Sequence, residues 1–185
     1  EAPNTPFYYY HIPSFSGIDL PMIEFLEVGS RHIPTLAGIK YTHSDLYDYG
    51  LCLNYDDGNY NILFGQDENL LAGLALGARG AVGSTYNFAS PLYRNIIESF
   101  NNGEMETARF LQTQSREMVQ IFKRYGIFAS LKAAMRIIGI DVGPNRPPVS
   151  PLGEKSLNNL TRDLENLGFF NFCSEVDTTI VTTAS

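Results

Sequence analysis

Residues 36–45, LAGIKYTHSD, place a single lysine at the end of a short apolar run. The run from Leu36 to Ile39 predicts a buried strand flanked by turn residues. Lys40 then lies near the carboxyl end of this strand, with apolar side chains behind it. A desolvated amine binds its proton less tightly, and this makes a lysine nucleophilic. By itself, however, the stretch favours a surface lysine whose stem covers apolar neighbours.

The composition indicates a folded domain and argues against a nucleic-acid partner or a membrane span. The chain has 185 residues, 44% of them hydrophobic, which suits one domain or one domain with a helical extension. Its net charge is -7, and no long basic cluster offers a footprint for nucleic acid. No window approaches the roughly 18 apolar residues of a membrane span, and the first residues do not resemble a signal peptide. Cys52 and Cys173 show no paired spacing, so we expect a reduced, cytoplasmic location.

Up to residue 103, short apolar strands alternate with helices. The predicted strands are 7–12, 36–41, 60–64 and 80–85, and the predicted helices are 20–31, one that begins after Asp45, 69–76 and 91–100. This alternation predicts an α/β fold with a parallel sheet and right-handed crossovers.

From Glu104 onward, apolar residues recur at helical spacing with no strand between them. The pattern predicts helices at about 104–125, 128–139 and 153–167, with a connector rich in proline and glycine at 139–151. We therefore predict two regions. Residues 1–103 contain four βα units, and residues 104–185 form a C-terminal helical extension packed on them.

The unusual polar residues fall where the predicted strands end. They are Tyr10, His11, Lys40, Thr42, Gly65, Asp67, Glu68 and Ser84. Ligands bind at the carboxyl ends of strands in parallel α/β folds, so four such clusters on consecutive strands predict one shared site. An open doubly wound sheet would also satisfy this rule. In a doubly wound sheet, however, the phosphate-binding glycines follow a strand. The glycines of residues 77–83 precede the predicted strand instead, and this favours a barrel.

Four motifs in this order resemble those of a known enzyme family. They are FYYYHIP at 7–13, GIKYTHSD at 38–45, FGQDE at 64–68 and GAVGSTYN at 80–87. Together they resemble the second half of the N-acetylneuraminate lyases, or sialic acid aldolases. These are pyruvate-dependent class I aldolases related to dihydrodipicolinate synthase, and they fold as TIM barrels. The resemblance runs through the whole chain, including its C-terminal helices.

The resemblance implies a catalytic role for two residues and a binding role for five more. Lys40 is expected to form a Schiff base with the keto acid, and Tyr10 is expected to transfer protons. The sugar-binding residues implied are Thr42, Gly65, Asp67, Glu68 and Ser84. No cofactor and no metal is implied, and the three histidines show no ligand spacing. The implied reaction cleaves N-acetylneuraminate to N-acetylmannosamine and pyruvate.

Simpler interpretations of these residues stay open at this point. A tyrosine in an aromatic run is often a core residue. An Asp-Glu pair before an apolar helix is often only a helix cap. The same superfamily also contains other 2-keto acid aldolases and synthases, so the substrate is open as well.

A complete TIM barrel takes ~250 residues, and this chain begins at what would be the fifth strand. The expected gap includes the motif that binds the pyruvate carboxylate and an aromatic residue that a neighbouring subunit contributes in related enzymes. A half-barrel leaves two unpaired strand edges. We therefore expect the missing N-terminal half as a partner, and the resemblance implies a homotetramer. The alternative is a non-catalytic half-barrel that acts as a scaffold and covers its edges by dimerisation.

Overall fold

The structure, a computed structural model, describes residues 3–175. The chain divides into two compact units, Glu1–Gly83 and Ser84–Ser185. The last ten residues of the predicted helical extension, 176–185, lie outside the described residues. The boundary after residue 103 stays a prediction.

The first unit contains a parallel sheet with helices between its strands. Its elements in chain order are β1 (Phe7–His11), α1 (Pro13–Ser16), α2 (Met22–His32), β2 (Leu36–Tyr41), α3 (Leu46–Asn54), β3 (Asn61–Phe64) and α4 (Leu70–Ala75). Single turns of 3-10 helix form at Tyr55–Gly58 and Asp67–Asn69. The strands lie in the order β1-β2-β3, and both pairs are parallel. The predicted alternation of strand and helix is therefore present in this unit.

The two faces of the sheet differ because consecutive strand residues point to opposite sides. One face packs under α2 and α3 and forms the core. The core residues of the strands and these helices are Met22, Leu26, Leu36, Ile39, Tyr41, Tyr49, Cys52, Ile62 and Phe64. The other face carries Tyr8, Tyr10, Lys40 and Leu63, all of them partly or fully exposed to solvent. Lys40 therefore belongs to the face that the helices do not cover.

The fourth predicted strand, 80–85, is reduced to a single parallel bridge between Phe64 and Ala81. Two backbone hydrogen bonds make this bridge, from Phe64 N to the Gly80 oxygen (3.0 Å) and from Val82 N to the Phe64 oxygen (2.9 Å). Glycine loses more conformational freedom in a strand than other residues and offers no side chain to pack. Because Gly80 and Gly83 flank only two apolar residues, the segment pairs at one position and extends no further.

A short helix, α1, replaces the start of the loop predicted after the first strand. Proline fixes its own φ near the helical value, so Pro13 suits the first position of this helix. Gly17 ends the helix in a left-handed conformation (φ 69°), and its amide donates to the Pro13 oxygen at 2.9 Å. The direction of the chain after β1 is thus fixed by one proline and one glycine.

The second unit is helical within the described residues. Its helices are α5 (Tyr86–Asn101), α6 (Met105–Tyr125), α7 (Ile127–Ile137) and α8 (Glu154–Leu167). The last three lie close to their predicted bounds. Helix α5 begins earlier than predicted, because its first turn continues through a kink at Ala89 (φ -129°) before Pro91. No helix in the described part of the chain is long and apolar enough to cross a membrane.

Candidate active site

Lys40 and Tyr10 lie side by side at the carboxyl ends of neighbouring strands. They are register partners in the parallel pairing of β1 with β2. The Lys40 Nζ atom lies 4.1 Å from the centroid of the Tyr10 ring, within the range of a cation-π contact. The structure therefore places the predicted nucleophile and the predicted proton-transfer residue in direct contact.

Backbone hydrogen bonds extend the sheet beyond the strand ends and bring further predicted residues to the same edge. The Thr42 amide donates to the His11 oxygen (2.8 Å), and the Gly65 amide donates to the Tyr41 oxygen (2.8 Å). A Cβ atom on Gly65 would collide with Oγ1 of Thr42, so only glycine permits this close approach. The buried Thr42 hydroxyl makes no hydrogen bond to any residue in the described part of the chain. A polar group of this kind can bind a ligand.

Asp67 and Glu68 belong to the 3-10 turn Asp67–Asn69, which begins two residues after Gly65. The Asp67 side chain is buried and Glu68 is half-buried. The Asp67 carboxylate occupies the space that a Cβ atom on Gly83 would need. Asn69, rather than either acid, is the residue immediately before α4.

Ser84 is the first residue of the second unit. Its carbonyl accepts a hydrogen bond from Nδ2 of Asn87 at 2.9 Å. Ser84 also lines a mainly apolar cavity of about 410 Å³. The other residues around this cavity include Phe88, Phe128, Leu131, Met135 and Val142.

A buried polar cluster around His11 lies on the core side of the sheet, and its members Tyr41 and Asp48 were missed. The His11 ring lies 5.0 Å from the Tyr41 ring and 5.3 Å from the His43 ring, measured between centroids. The Asp48 carboxylate is 5% exposed and accepts a hydrogen bond from the Tyr41 hydroxyl at 3.0 Å. Within residues 3–175, no group of three or more His, Cys, Asp or Glu side chains is placed to hold a metal ion.

Burial lowers the pKa of His11 below its usual 6.5, and the nearby His43 lowers it further, although Asp48, Asp19 and Asp45 oppose the shift. The His11 side chain is 1% exposed, and its Nδ1 atom has no hydrogen-bond partner among the described residues. The fold therefore favours the neutral imidazole.

This pKa shift predicts that the fold loses stability in acid. The unfolded chain takes up the His11 proton near pH 6.5, before the folded chain does, so stability is complete above that value and falls as the pH decreases. We expect the thermal midpoint to drop between about pH 7.5 and about pH 5.5, and His11→Phe to reduce this drop. His32→Phe, at an exposed residue, is the matched control and should keep the full drop. An undiminished drop in His11→Phe would contradict the assignment.

Comparison with known proteins identifies the family. The family model described as the dihydrodipicolinate synthetase family matches residues 1–167, and the chain belongs to this family. The chain is 34% identical to the N-acetylneuraminate lyase of Danio rerio over 169 residues, which cover 90% of the chain and 55% of that protein. It is 36% identical to the lyase of Rattus norvegicus over 174 residues, or 92% of the chain and 54% of that protein.

Solved structures show the same relationship. The N-acetylneuraminate lyase of Proteus mirabilis matches with a TM-score of 0.87 and 39% identity, over 91% of this chain and 57% of that one. A structure of the Ruminococcus gnavus sialic acid aldolase, described as a catalytic lysine mutant, matches with a TM-score of 0.79 and 27% identity, over 92% of this chain and 57% of that one. The chain thus spans about half the length of the relatives it matches.

Proposed function

We propose that the chain is the lysine-bearing part of a class I aldolase that cleaves N-acetylneuraminate to N-acetylmannosamine and pyruvate. The observation that supports this most is the contact between the Lys40 amine and the Tyr10 ring, at the carboxyl ends of two parallel strands. The similar relatives are named N-acetylneuraminate lyases. One of the similar solved structures is described as the catalytic lysine mutant of a sialic acid aldolase.

In the proposed reaction, the neutral Lys40 amine attacks the C2 ketone of the open-chain sugar acid and water leaves, which forms an imine. The protonated imine then accepts the electron pair of the C3–C4 bond as that bond breaks. Tyr10, which has given its proton to the departing water during imine formation, now removes the proton of the C4 hydroxyl, so the sugar departs as an aldehyde and an enamine of pyruvate remains. Protonation of the enamine at C3 and hydrolysis of the imine release pyruvate and regenerate Lys40.

The sugar end of the substrate is assigned to five further residues. They are Thr42, Gly65, Asp67, Glu68 and Ser84. The support is the unpartnered buried hydroxyl of Thr42 and the position of Asp67 and Glu68 directly after β3. Carboxylates accept hydrogen bonds from sugar hydroxyls, which gives the polyol part a fixed orientation.

In this proposal, the chain catalyses the reaction only together with the N-terminal half of the barrel. We use the term complete barrel for this chain together with the N-terminal half found in the relatives, as one polypeptide or as two pieces. The half-barrel geometry, the N-terminal half as partner, the homotetramer and a cytoplasmic location all belong to this proposal. Its support is that the relatives are about twice as long as the part matched.

A second candidate is another 2-keto acid aldolase or synthase. It is supported by the matching family model, which is described as the dihydrodipicolinate synthetase family. Assays of the complete barrel with N-acetylneuraminate and with other 2-keto-3-deoxy acids discriminate the two. The proposal expects the highest kcat/KM for N-acetylneuraminate. A preference for a substrate without the sugar chain would support the second candidate.

Replacing Glu68 by alanine is expected to weaken sugar binding selectively. Loss of a hydrogen-bonding partner in a buried site costs about 1 to 3 kcal/mol, so the KM for the sugar acid should rise by roughly five- to a hundredfold. Imine formation with pyruvate should survive, because pyruvate lacks the polyol chain. Steady-state kinetics and borohydride trapping measure the two effects.

The control for this variant is Glu27→Ala, at an exposed acid on α2. It should change neither quantity. If Glu68→Ala impairs pyruvate trapping as much as sugar cleavage, the acid has a structural role and its assignment to the sugar is wrong.

A further inference from the structure

Tyr41 follows Lys40 directly, and its side chain points into the core while that of Lys40 points to the opposite face. The Tyr41 side chain is fully buried. Its hydroxyl shares its one proton between two acceptors, the Asp45 carbonyl at 2.8 Å and Oδ2 of Asp48 at 3.0 Å. The carboxyl end of β2 is therefore fixed from behind, at the residue next to the proposed nucleophile.

Asp48 connects three elements through one buried carboxylate. It belongs to α3, and it accepts hydrogen bonds from the amides of Met22 (2.9 Å) and Ile23 (3.0 Å) at the start of α2. Pro21, which precedes α2, supplies no side-chain cap of its own. The third partner is the Tyr41 hydroxyl at the end of β2.

A buried carboxylate is costly unless hydrogen bonds satisfy it, so this group strongly favours one arrangement of its neighbours. The positive end of the α2 dipole also favours a negative charge at this position. Burial and the neighbouring Asp48 both raise the pKa of Tyr41, so the phenol keeps its proton and remains a donor. The connection among β2, α2 and α3 is therefore maintained at neutral pH.

We propose that Tyr41 and Asp48 are positioning residues that hold Lys40 at the correct height and direction for imine formation. This inference rests on the proposed function. Lys40 shares its backbone with Tyr41 and touches Tyr10 across the strand pair, so a shift of the β2 end moves the amine relative to both Tyr10 and the substrate. A displacement of about 1 Å in a catalytic group can cost on the order of 100-fold in rate.

The test is Tyr41→Phe in the complete barrel, which removes one hydroxyl and keeps the ring in the core. We expect the rate of borohydride-trappable imine formation with pyruvate, and kcat for cleavage, to fall about tenfold or more, while the KM for the sugar acid changes less than about twofold. This separation distinguishes positioning from general damage to the fold, which would reduce the amount of active protein without changing its imine formation rate per folded site.

The matched control is Tyr49→Phe. The Tyr49 side chain is equally buried and its ring packs against that of Tyr41, but its hydroxyl donates to the Ile62 carbonyl at 3.3 Å rather than to Asp45 or Asp48. It should cost similar stability and leave the imine formation rate unchanged. Asp48→Asn is the second variant and should slow imine formation in the same direction if Tyr41→Phe does not fold.

Suppose that the unmodified complete barrel traps pyruvate at Lys40. Unchanged imine formation rates in folded Tyr41→Phe or Asp48→Asn would then overturn the positioning inference and leave the proposed function intact. An equal slowing in Tyr49→Phe also overturns it, because the effect would then be one of core stability. If the unmodified barrel traps no pyruvate, the proposed function fails first and the inference fails with it.

Discussion

Lys40→Arg in the complete barrel is expected to abolish cleavage of N-acetylneuraminate. Arginine keeps the positive charge and can still lie over the Tyr10 ring, but its guanidinium does not lose a proton and so cannot form an imine. Removal of a covalent nucleophile typically costs several orders of magnitude, and we expect a loss on the order of 10⁴-fold or more in kcat. Pyruvate release measures the loss, and far-UV circular dichroism checks the fold.

The control for this variant is Lys155→Arg, at an exposed lysine in the first turn of α8. It should leave kcat unchanged. Retention of more than about 1% of the activity in Lys40→Arg would contradict the nucleophilic role, since residual catalysis without the covalent intermediate should be far lower.

We expect a second large effect on cleavage activity from the presence or absence of the N-terminal half of the barrel. This chain alone should show no measurable cleavage, because the keto acid must be held at Lys40 for the reaction to proceed. Tyr8 and Tyr10 are 39% and 46% exposed on the face that carries Lys40, so this face is open to solvent in the isolated chain. Mixing the chain with the N-terminal half of a relative, such as the Proteus mirabilis lyase, should restore pyruvate release.

Three outcomes of the mixing experiment are informative. Activity that appears only in the mixture supports a barrel assembled from two halves. Equal activity in the chain alone would contradict the need for the missing half. A stable complex that forms no imine supports the alternative of a half-barrel scaffold, and the residues assigned to the site would then have no catalytic task.

The first three strands could be predicted because short apolar runs with sharp polar ends are local signals. The predicted strand 36–41 has the observed bounds, Leu36–Tyr41, and the lysine at its end follows directly from them. The contact between Lys40 and Tyr10 then follows from parallel pairing of neighbouring strands. The fourth strand could not be judged in this way. Its length depends on whether the residues between Gly80 and Gly83 form hydrogen bonds with a neighbouring strand. That pairing is determined by the whole sheet and not by the segment itself.

The core side of the site could not be predicted for a related reason. Asp48 accepts a hydrogen bond from the amide of Met22, 26 residues earlier in the chain, and no sequence pattern marks a cap supplied from so far away. Asp45, after which a helix was predicted to begin, caps that helix locally, because its side chain accepts from the amides of Tyr47 and Asp48. Local caps are therefore predictable here, whereas the carboxylate that connects three elements is visible only in the fold.

Borohydride trapping with peptide mapping shows whether Lys40 forms a Schiff base. The complete barrel is incubated with pyruvate, reduced with borohydride, digested and analysed by mass spectrometry. Reduction converts the imine to a stable secondary amine, so we predict that the pyruvate-derived mass is found on the peptide that contains Lys40, and that Lys40→Arg removes it. A label on another lysine, or activity that a chelator abolishes and zinc restores, would contradict the account.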